Sequence, residues 1–176
     1  MSCFECKACG RCCKGEGSVF LLPDDVKTLA ENLKMDIQKF VDTYTNFIML
    51  ELMEDEGTYF YMPYLVLKKN ELEECLFLND NRCGVHNFKP FQCRSTPFVP
   101  EFFSDKDWQK DVKASCFGLR MMDEADFEPY RENIEKEAEE REQRYSSELQ
   151  DNGYSLEKIL GVTLPPPEII QFDDED

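Results

Sequence analysis

The sequence predicts an α+β fold, built as a small, irregular domain that a bound metal stabilises. Three observations predict it. Nine cysteines stand among 176 residues, and five of them fall within the first thirteen positions. Segments with helical spacing accompany one rich in aromatic and β-branched residues. A long acidic segment near the C-terminus also has helical spacing. We expect a cysteine-cluster metal-binding domain over residues 1–122, an acidic helical extension packed on it over 123–160, and a proline-rich acidic tail over 161–176.

Two helices are predicted after the first group of cysteines. Pro23, Asp24 and Asp25 indicate a helix start, because proline fits the first turn and acidic side chains favour the positive end of the helix dipole. A second helix is expected to begin near Asp36. Apolar residues recur at helical spacing in both segments, at Val26, Leu29, Ala30 and Leu33 and at Ile37, Phe40, Val41 and Tyr44.

The middle of the chain is expected to hold a strand, a hairpin and a loop. Residues 58–67 predict a strand, and Pro63 indicates a sheet edge or a break within it. The Asn-Asp-Asn sequence at 79–81 predicts a turn, so Cys75 and Cys83 are expected to meet across a short hairpin. Residues 88–91 predict an irregular loop that leads to Cys93.

The segment 123–151 holds twelve acidic and four basic residues and a thin apolar stripe at helical spacing. Glu132–Lys136, Glu137–Arg141 and Glu140–Arg144 have the i, i+4 order that stabilises a helix. The favoured interpretation is a long acidic helix that docks by one face, and a helix that binds a protein partner is the alternative. A short capped helix over 155–160 is expected to follow.

The cysteines indicate a metal site. Dense thiolate donors select zinc, copper(I) or iron–sulfur centres. The spacing Cys6-x2-Cys9-x2-Cys12 equals that of the first three ligands of a bacterial ferredoxin run, yet Cys-x2-Cys suits zinc as well. The adjacent Cys12 and Cys13 are expected to point in different directions, toward different sites or different metals of one cluster. Glycines around the run predict a loop, so distant cysteines must fold back to complete the metal shell.

Composition limits the other classes of function. The formal net charge of −17 argues against nucleic-acid binding, because phosphate contacts need lysine and arginine. No apolar run approaches the length of a transmembrane helix, so we expect no membrane association. The absence of a secretory signal predicts a cytoplasmic protein, in which disulfides are uncommon. A single histidine excludes paired-histidine metalloprotease motifs, and no Walker A or dinucleotide-binding loop occurs.

Several blocks together resemble the CxxCxxCC family of cysteine-cluster proteins, which are described as zinc- or iron-chelating. The resemblance covers residues 6–118 and implies a bound metal, either zinc or an iron–sulfur cluster. Lys89 replaces the arginine that usually precedes proline, and Phe117 replaces the proline after the last cysteine, which makes Cys116 the least secure ligand. The matching blocks are Cys6-Lys7-Ala8-Cys9-Gly10-Arg11-Cys12-Cys13, Cys75-Leu76-Phe77-Leu78, Cys83-Gly84-Val85-His86, Pro90-Phe91-Gln92-Cys93-Arg94 and Ser115-Cys116-Phe117-Gly118.

The resemblance implies a ligand set. Cys3 lies outside the motif, near the chain end, where a thiol is usually free. His86 is expected to pack or to hydrogen-bond beside the ligands, with direct ligation the less favoured alternative. Nearby cations are expected to offset the thiolate charge, with Arg94 a structural partner; they are Arg11, Lys14, Lys89 and Arg94. The expected cofactor-binding and metal-binding residues are Cys6, Cys9, Cys12, Cys13, Cys75, Cys83, Cys93 and Cys116.

The sequence therefore predicts a cytoplasmic metal-binding protein that holds one or more iron–sulfur clusters, of the 4Fe-4S type, and acts in electron transfer or as an accessory protein. One alternative is a zinc-binding structural or interaction protein. The other is a redox or group-transfer enzyme that depends on a cluster with an open iron. A closed site with four thiolates per metal would favour the non-enzymatic interpretations.

Overall fold

The structure, a computed structural model, describes residues 4–14, 17–55, 58–98 and 114–171, so Cys3 lies outside the described residues. Helices and small sheets occur together, which confirms the α+β class. The helices are α1 (Pro23–Asn32), α2 (Ile37–Tyr44), α3 (Phe91–Ser95), α4 (Phe117–Arg120), α5 (Glu124–Asp151) and α6 (Leu156–Leu160). The strands are β1 (Phe20–Leu21), β2 (Thr45–Asp55), β3 (Thr58–Leu67), β4 (Leu78–Asn79), β5 (Arg82–Cys83) and β6 (Glu168–Ile170).

Helices α1 and α2 begin where the sequence predicts. Pro23 occupies the first turn of α1, and the Asp25 carboxylate accepts the Leu22 N–H over 3.2 Å. The Asp36 side chain caps α2 by accepting the Gln38 N–H over 2.9 Å. Both helices bury their apolar stripes, which include Val26 and Phe40. The two helices cover one part of the main core.

The main sheet has the strand order β1-β3-β2-β6. Strands β2 and β3 are antiparallel, in a register that sets Thr45 opposite Leu67. The predicted strand at residues 58–67 is confirmed, and it runs through Pro63 without a break. Strand β1 pairs with β3 only at Leu65 and Val66, so Pro63 faces no strand on that side within the described chain. The Tyr145 hydroxyl of α5 donates to the Pro63 carbonyl there.

The predicted hairpin consists of β4 and β5. Its turn residues Asp80 and Asn81 have φ values of 47° and 59°, as a two-residue turn with left-handed central residues requires. A 3₁₀ turn at His86–Phe88 follows. The expected loop ends sooner than predicted, because Phe91 begins α3 and Cys93 lies inside that helix.

The C-terminal region differs from expectation in two ways. The long helix α5 is confirmed, but two of its arginines pair with α1 and not along their own helix: Arg141 with Asp25 and Arg144 with Asp24. Glu168–Ile170 lie within the expected tail, yet they form β6 and pair in parallel with Ile48–Leu50 of β2. Helix α6 is capped as expected by the Ser155 hydroxyl, and Gly161 ends it with φ 67°.

The buried residues form two clusters. The larger lies between the main sheet and helices α1, α2, α5 and α6. The smaller joins Phe98, Leu119 and Ile134, and Phe4 and Cys116 pack against it. The Phe4 ring meets the Phe98 ring edge-on at 5.0 Å. This second cluster therefore holds the segment around Phe4, which precedes the N-terminal cysteines, next to the segment around Cys116. No helix in the described ranges is long and apolar enough to cross a membrane.

Candidate metal centre

All eight predicted ligand cysteines line one cavity of about 290 Å³. Four separate parts of the chain supply them: the N-terminal segment, the hairpin region, α3 and the residue that precedes α4. All eight are free thiols. The lining cysteines are Cys6, Cys9, Cys12, Cys13, Cys75, Cys83, Cys93 and Cys116.

The N-terminal cysteine segment lies directly on the hairpin. Gly10 has φ 71°, and a Cβ at this position would stand 2.6 Å from the Asn81 carbonyl oxygen, so the contact requires glycine. The Cys75 N–H donates to the Cys13 carbonyl over 2.8 Å. Lys14 Nζ donates to Asn81 Oδ1 over 2.5 Å. These contacts hold Cys13 against the start of the hairpin region.

The segment around Cys116 packs on the other side of the N-terminal run. Arg11 Nη1 donates to the Ser115 carbonyl over 2.9 Å. A Cβ at the buried Gly118 would stand 2.6 Å from the Phe4 ring and 2.8 Å from the Glu5 carbonyl oxygen. Only a residue without a side chain allows this approach, which brings Cys116 to the cavity.

Helix α3 presents Cys93 from a third direction. The Phe91 N–H donates to Asp25 Oδ1 over 3.0 Å, which ties the first turn of α3 to α1. The Gln92 amide accepts the Phe20 N–H over 2.6 Å and donates to the Ser18 carbonyl over 3.1 Å. Cys93 is therefore held by the main sheet and α1 and not by a flexible connection.

The thiols of Cys12 and Cys13 meet, contrary to the expectation that adjacent cysteines point apart. Cys13 lies within hydrogen-bond reach of both Cys12 and Cys83. Both residues lie in the 3₁₀ turn at Arg11–Cys13. The Cys13 thiol therefore connects the N-terminal run to the hairpin.

These contacts divide the thiols into two groups. The hydrogen bond from Cys13 lowers the pKa of Cys12 to about 6 and, likewise, the pKa of Cys83 to about 6. The same contacts raise the pKa of Cys13. Burial raises the pKa of Cys75 and of Cys93. Among these five thiols, Cys12 and Cys83 are therefore the ones that lose a proton most readily.

Backbone amides also point at the sulfurs. The Phe77 N–H donates to the Cys75 sulfur, and the Val85 N–H donates to the Cys83 sulfur. In each case the donor lies two residues after the cysteine. Such bonds favour the charged thiolate, and around iron–sulfur clusters they tune the reduction potential.

A family model matches residues 5–117, about two-thirds of the chain, and its description is "CxxCxxCC: Putative zinc- or iron-chelating domain". The chain belongs to the CxxCxxCC family. The resemblance found in the sequence is therefore confirmed, and the matched range holds all eight cysteines of the cavity. No solved structure matches the chain.

Of the four cations expected near the thiolates of this CxxCxxCC protein, Lys89 is the one whose charge acts on several of the thiols. It lines the cavity, and its charge adds to the Cys13 hydrogen bond in lowering the pKa of Cys12 and Cys83. At Cys93 the same charge opposes the burial that raises the pKa. Arg94 instead forms a two-pronged ion pair with Glu137 of α5, so it is a structural partner of that helix. The lysine that replaces the usual family arginine thus keeps a positive charge at the site.

The donor set fits the metal chemistry of the CxxCxxCC family. Thiols, N–H donors to sulfur and a cation converge on one cavity, as thiolate-bound zinc or iron requires. Within the described ranges, however, no group of three or more His, Cys, Asp or Glu side chains is arranged to hold a single ion. Four thiolates on one zinc ion lie about 3.8 Å apart, given a zinc–sulfur distance of about 2.3 Å. The cavity therefore gathers the donors without packing them into one tetrahedron.

His86 also lines the cavity. Its Nδ1 is buried, and no hydrogen-bond partner contacts it in the described part of the chain. The sequence analysis favoured packing or a hydrogen bond beside the ligands for His86 and kept direct ligation as the alternative. The available signal was its spacing of two intervening residues from Cys83, the same spacing as between Cys6 and Cys9.

Proposed function

We propose that this member of the CxxCxxCC family holds one or more iron–sulfur clusters, of the 4Fe-4S type, and serves in electron transfer or as an accessory protein. The ligands would be Cys6, Cys9, Cys12, Cys13, Cys75, Cys83, Cys93 and Cys116. The observation that carries the proposal is the single cavity lined by all eight thiols.

The spacing of the thiols supports a cluster over a single ion. In a cluster, each cysteine binds a different iron atom, so its sulfurs stand farther apart than the four sulfurs around one zinc. In the described ranges no three of these side chains are placed to hold one ion, which fits the wider arrangement, although the contact of Cys13 with Cys12 and Cys83 is closer. Phe77 and Pro90, both buried, line the same cavity and would exclude water from the cluster.

The position of the cavity suits electron exchange. Cys9 and Cys12 are exposed, so one side of the proposed cluster would lie at the protein surface. The net charge of −17 would steer a basic redox partner toward the protein, and salt would weaken that attraction. A reducing cytoplasm would keep the thiols available for metal, in line with eight free thiols in the described chain.

Purification without oxygen tests the proposal. Iron, acid-labile sulfide and zinc should be measured on the same sample, together with its absorption spectrum. Iron and sulfide in equal amounts, with a visible absorption band that bleaches on reduction, are expected. Colourless protein with stoichiometric zinc and no sulfide would overturn the cluster. Zinc found only after aerobic preparation does not decide, because zinc can replace a lost cluster.

Zinc binding is the second candidate, with a structural or partner-binding role. It is favoured by the contact of Cys13 with both Cys12 and Cys83, which sets three thiols close together. To bind one zinc ion, these three side chains would have to move slightly, so that their sulfurs and a fourth sulfur form a tetrahedron. The metal analysis described above separates the two candidates.

A further inference from the structure

The hairpin continues into a segment that presents a second kind of donor. His86 opens the 3₁₀ turn at His86–Phe88, three positions after Cys83. A gap of two residues between donors is also the gap in the pairs Cys6–Cys9 and Cys9–Cys12. This spacing lets two side chains grip one metal while the intervening amides face the sulfur, and Val85 provides such an amide to Cys83.

His86 has the properties of a side chain that lacks a partner. It lines the cavity beside the thiols, and its Nδ1 is buried without a hydrogen bond in the described ranges. A buried polar atom without a partner costs about 1–3 kcal/mol. Native proteins rarely retain that cost, and a bound ion is one of the few explanations for it. A ring placed only for packing would gain more stability as phenylalanine.

We propose that the imidazole of His86 is a ligand of the metal group in the cysteine cavity, which makes the site a mixed thiolate–imidazole one. This inference rests on the proposed function, because it requires that the cavity bind iron or zinc. Imidazole nitrogen is a common ligand of both metals, so the ring suits either occupant. Neutral imidazole in place of a thiolate also reduces the negative charge of the site, and it raises the potential of an iron–sulfur centre.

A labelling experiment tests the ligation without any substitution. His86 is the single histidine of the chain, so protein made with histidine that is ¹⁵N-labelled in the imidazole ring carries the label in that side chain alone. The iron–sulfur form is prepared without oxygen, reduced and examined by pulsed electron paramagnetic resonance. A strong nitrogen coupling that changes with the isotope is expected. No coupling, or a coupling that the label leaves unchanged, would overturn the inference.

A pair of variants provides an independent measurement. His86→Phe fills the space of the ring without a donor nitrogen, and Asn87→Ala changes the exposed neighbour. His86→Phe should weaken metal retention against a chelator at least tenfold, since changes around metal ligands commonly cost 10–100-fold. Asn87→Ala should retain metal as the wild type does. Equal retention by His86→Phe and the wild type would count against ligation.

The two proposals fail in different ways. Protein that binds neither iron nor zinc overturns the proposed function, and metal analysis reveals this before any spectroscopy. Metal-loaded protein without histidine coupling overturns only the role of His86. If the metal is zinc, cobalt(II) replaces it as the paramagnetic probe, and the same isotope comparison is made on the cobalt form.

Discussion

Arg141 Nη2 lies 2.8 Å from Asp25 Oδ2, which joins the long acidic helix to α1 through an ion pair whose side chains are 12% and 9% exposed. The same carboxylate accepts the Phe91 N–H, and the Arg141 guanidinium lies 5.0 Å from the centre of the Phe91 ring. One buried pair therefore holds α1, α5 and the helix that carries Cys93.

Asp25→Ala is expected to destabilise the fold strongly. Loss of one partner leaves the Arg141 charge buried and unpaired, which costs about 3–5 kcal/mol. Chemical denaturation of the metal-loaded protein measures this. Asp24→Ala is the matched control, because the Asp24–Arg144 pair is exposed and is worth at most about 1 kcal/mol. Equal losses in the two variants would contradict the role assigned to Asp25.

Metal removal is expected to loosen the site before the sheet. Phe4 and Cys116 pack on the small core cluster, and Cys75 and Cys83 lie at the border of the large one, in which β2 and β3 are buried. Metal ligation should contribute several kcal/mol to a domain of this kind. Hydrogen exchange before and after strong chelation should show lost protection at residues 4–14 and 75–93, with β2 and β3 retained. Unchanged exchange throughout the site would show that metal does not stabilise it.

Replacement of any one of Cys6, Cys9, Cys83 or Cys93 by serine is expected to reduce bound metal, because a serine hydroxyl is a poor substitute for a soft thiolate. Cys3→Ser is the control and should leave metal content unchanged, since Cys3 lies outside the family motif. Metal per protein is measured after oxygen-free purification. Full metal content in all four variants would remove these residues from the ligand set.

Lys89→Gln is expected to make the proposed cluster harder to reduce. The lysine charge favours the thiolate forms of Cys12, Cys83 and Cys93, so its loss leaves the site more negative. A more negative site lowers the reduction potential, by something on the order of tens of millivolts for a partly screened charge. Redox titration measures the shift. Lys14→Gln provides the comparison, because Lys14 Nζ is engaged by Asn81 and by Glu74 at 3.4 Å. A higher potential in Lys89→Gln would refute the assignment.

Metal affinity is expected to increase with pH. Burial raises the pKa of Cys75 and Cys93, so these thiols are protonated near neutral pH in the metal-free protein and must release protons on binding. The free energy needed to remove these protons decreases as the pH rises toward the raised pKa values, so the metal binds more tightly at higher pH. Cys12, with a pKa of about 6, adds little dependence above that pH. Zinc competition titrations at several pH values measure the slope, and a flat profile would contradict the prediction.

The sequence was informative where local chemistry decides the structure. Pro23 and Asp36 mark helix starts, and the Asn-Asp-Asn turn marks the hairpin, because each acts within a few residues. Strand β2 was not predicted, since the continuous apolar run at Ile48–Leu50 suits a buried helix as well as a strand. Strand β6 was missed because three residues carry too little pattern to identify a strand.

The candidate site shows the same division. Cysteine spacing and the family motif were enough to gather eight thiols as candidates, and the structure brings all of them to one cavity. The cations were harder to assign, because Arg94 forms an ion pair with Glu137, which lies 43 positions later in the chain. Likewise, the contact between Cys13 and Cys83 joins the N-terminal run to the hairpin. Tertiary pairing of this kind is not encoded by neighbours in the sequence.

The hydrogen bond between Arg11 and Ser115 spans 104 positions, so the site cannot form until most of the protein has been synthesised. A ribosome adds about 5–20 residues per second, so the first thiols wait roughly 5–20 seconds before their last partners emerge. During that interval the five closely spaced thiols at the start of the nascent chain are exposed to oxidants and competing metals, because the cavity has not yet formed. Correct loading must therefore either follow release of residues up to Cys116 or be protected by another factor until then.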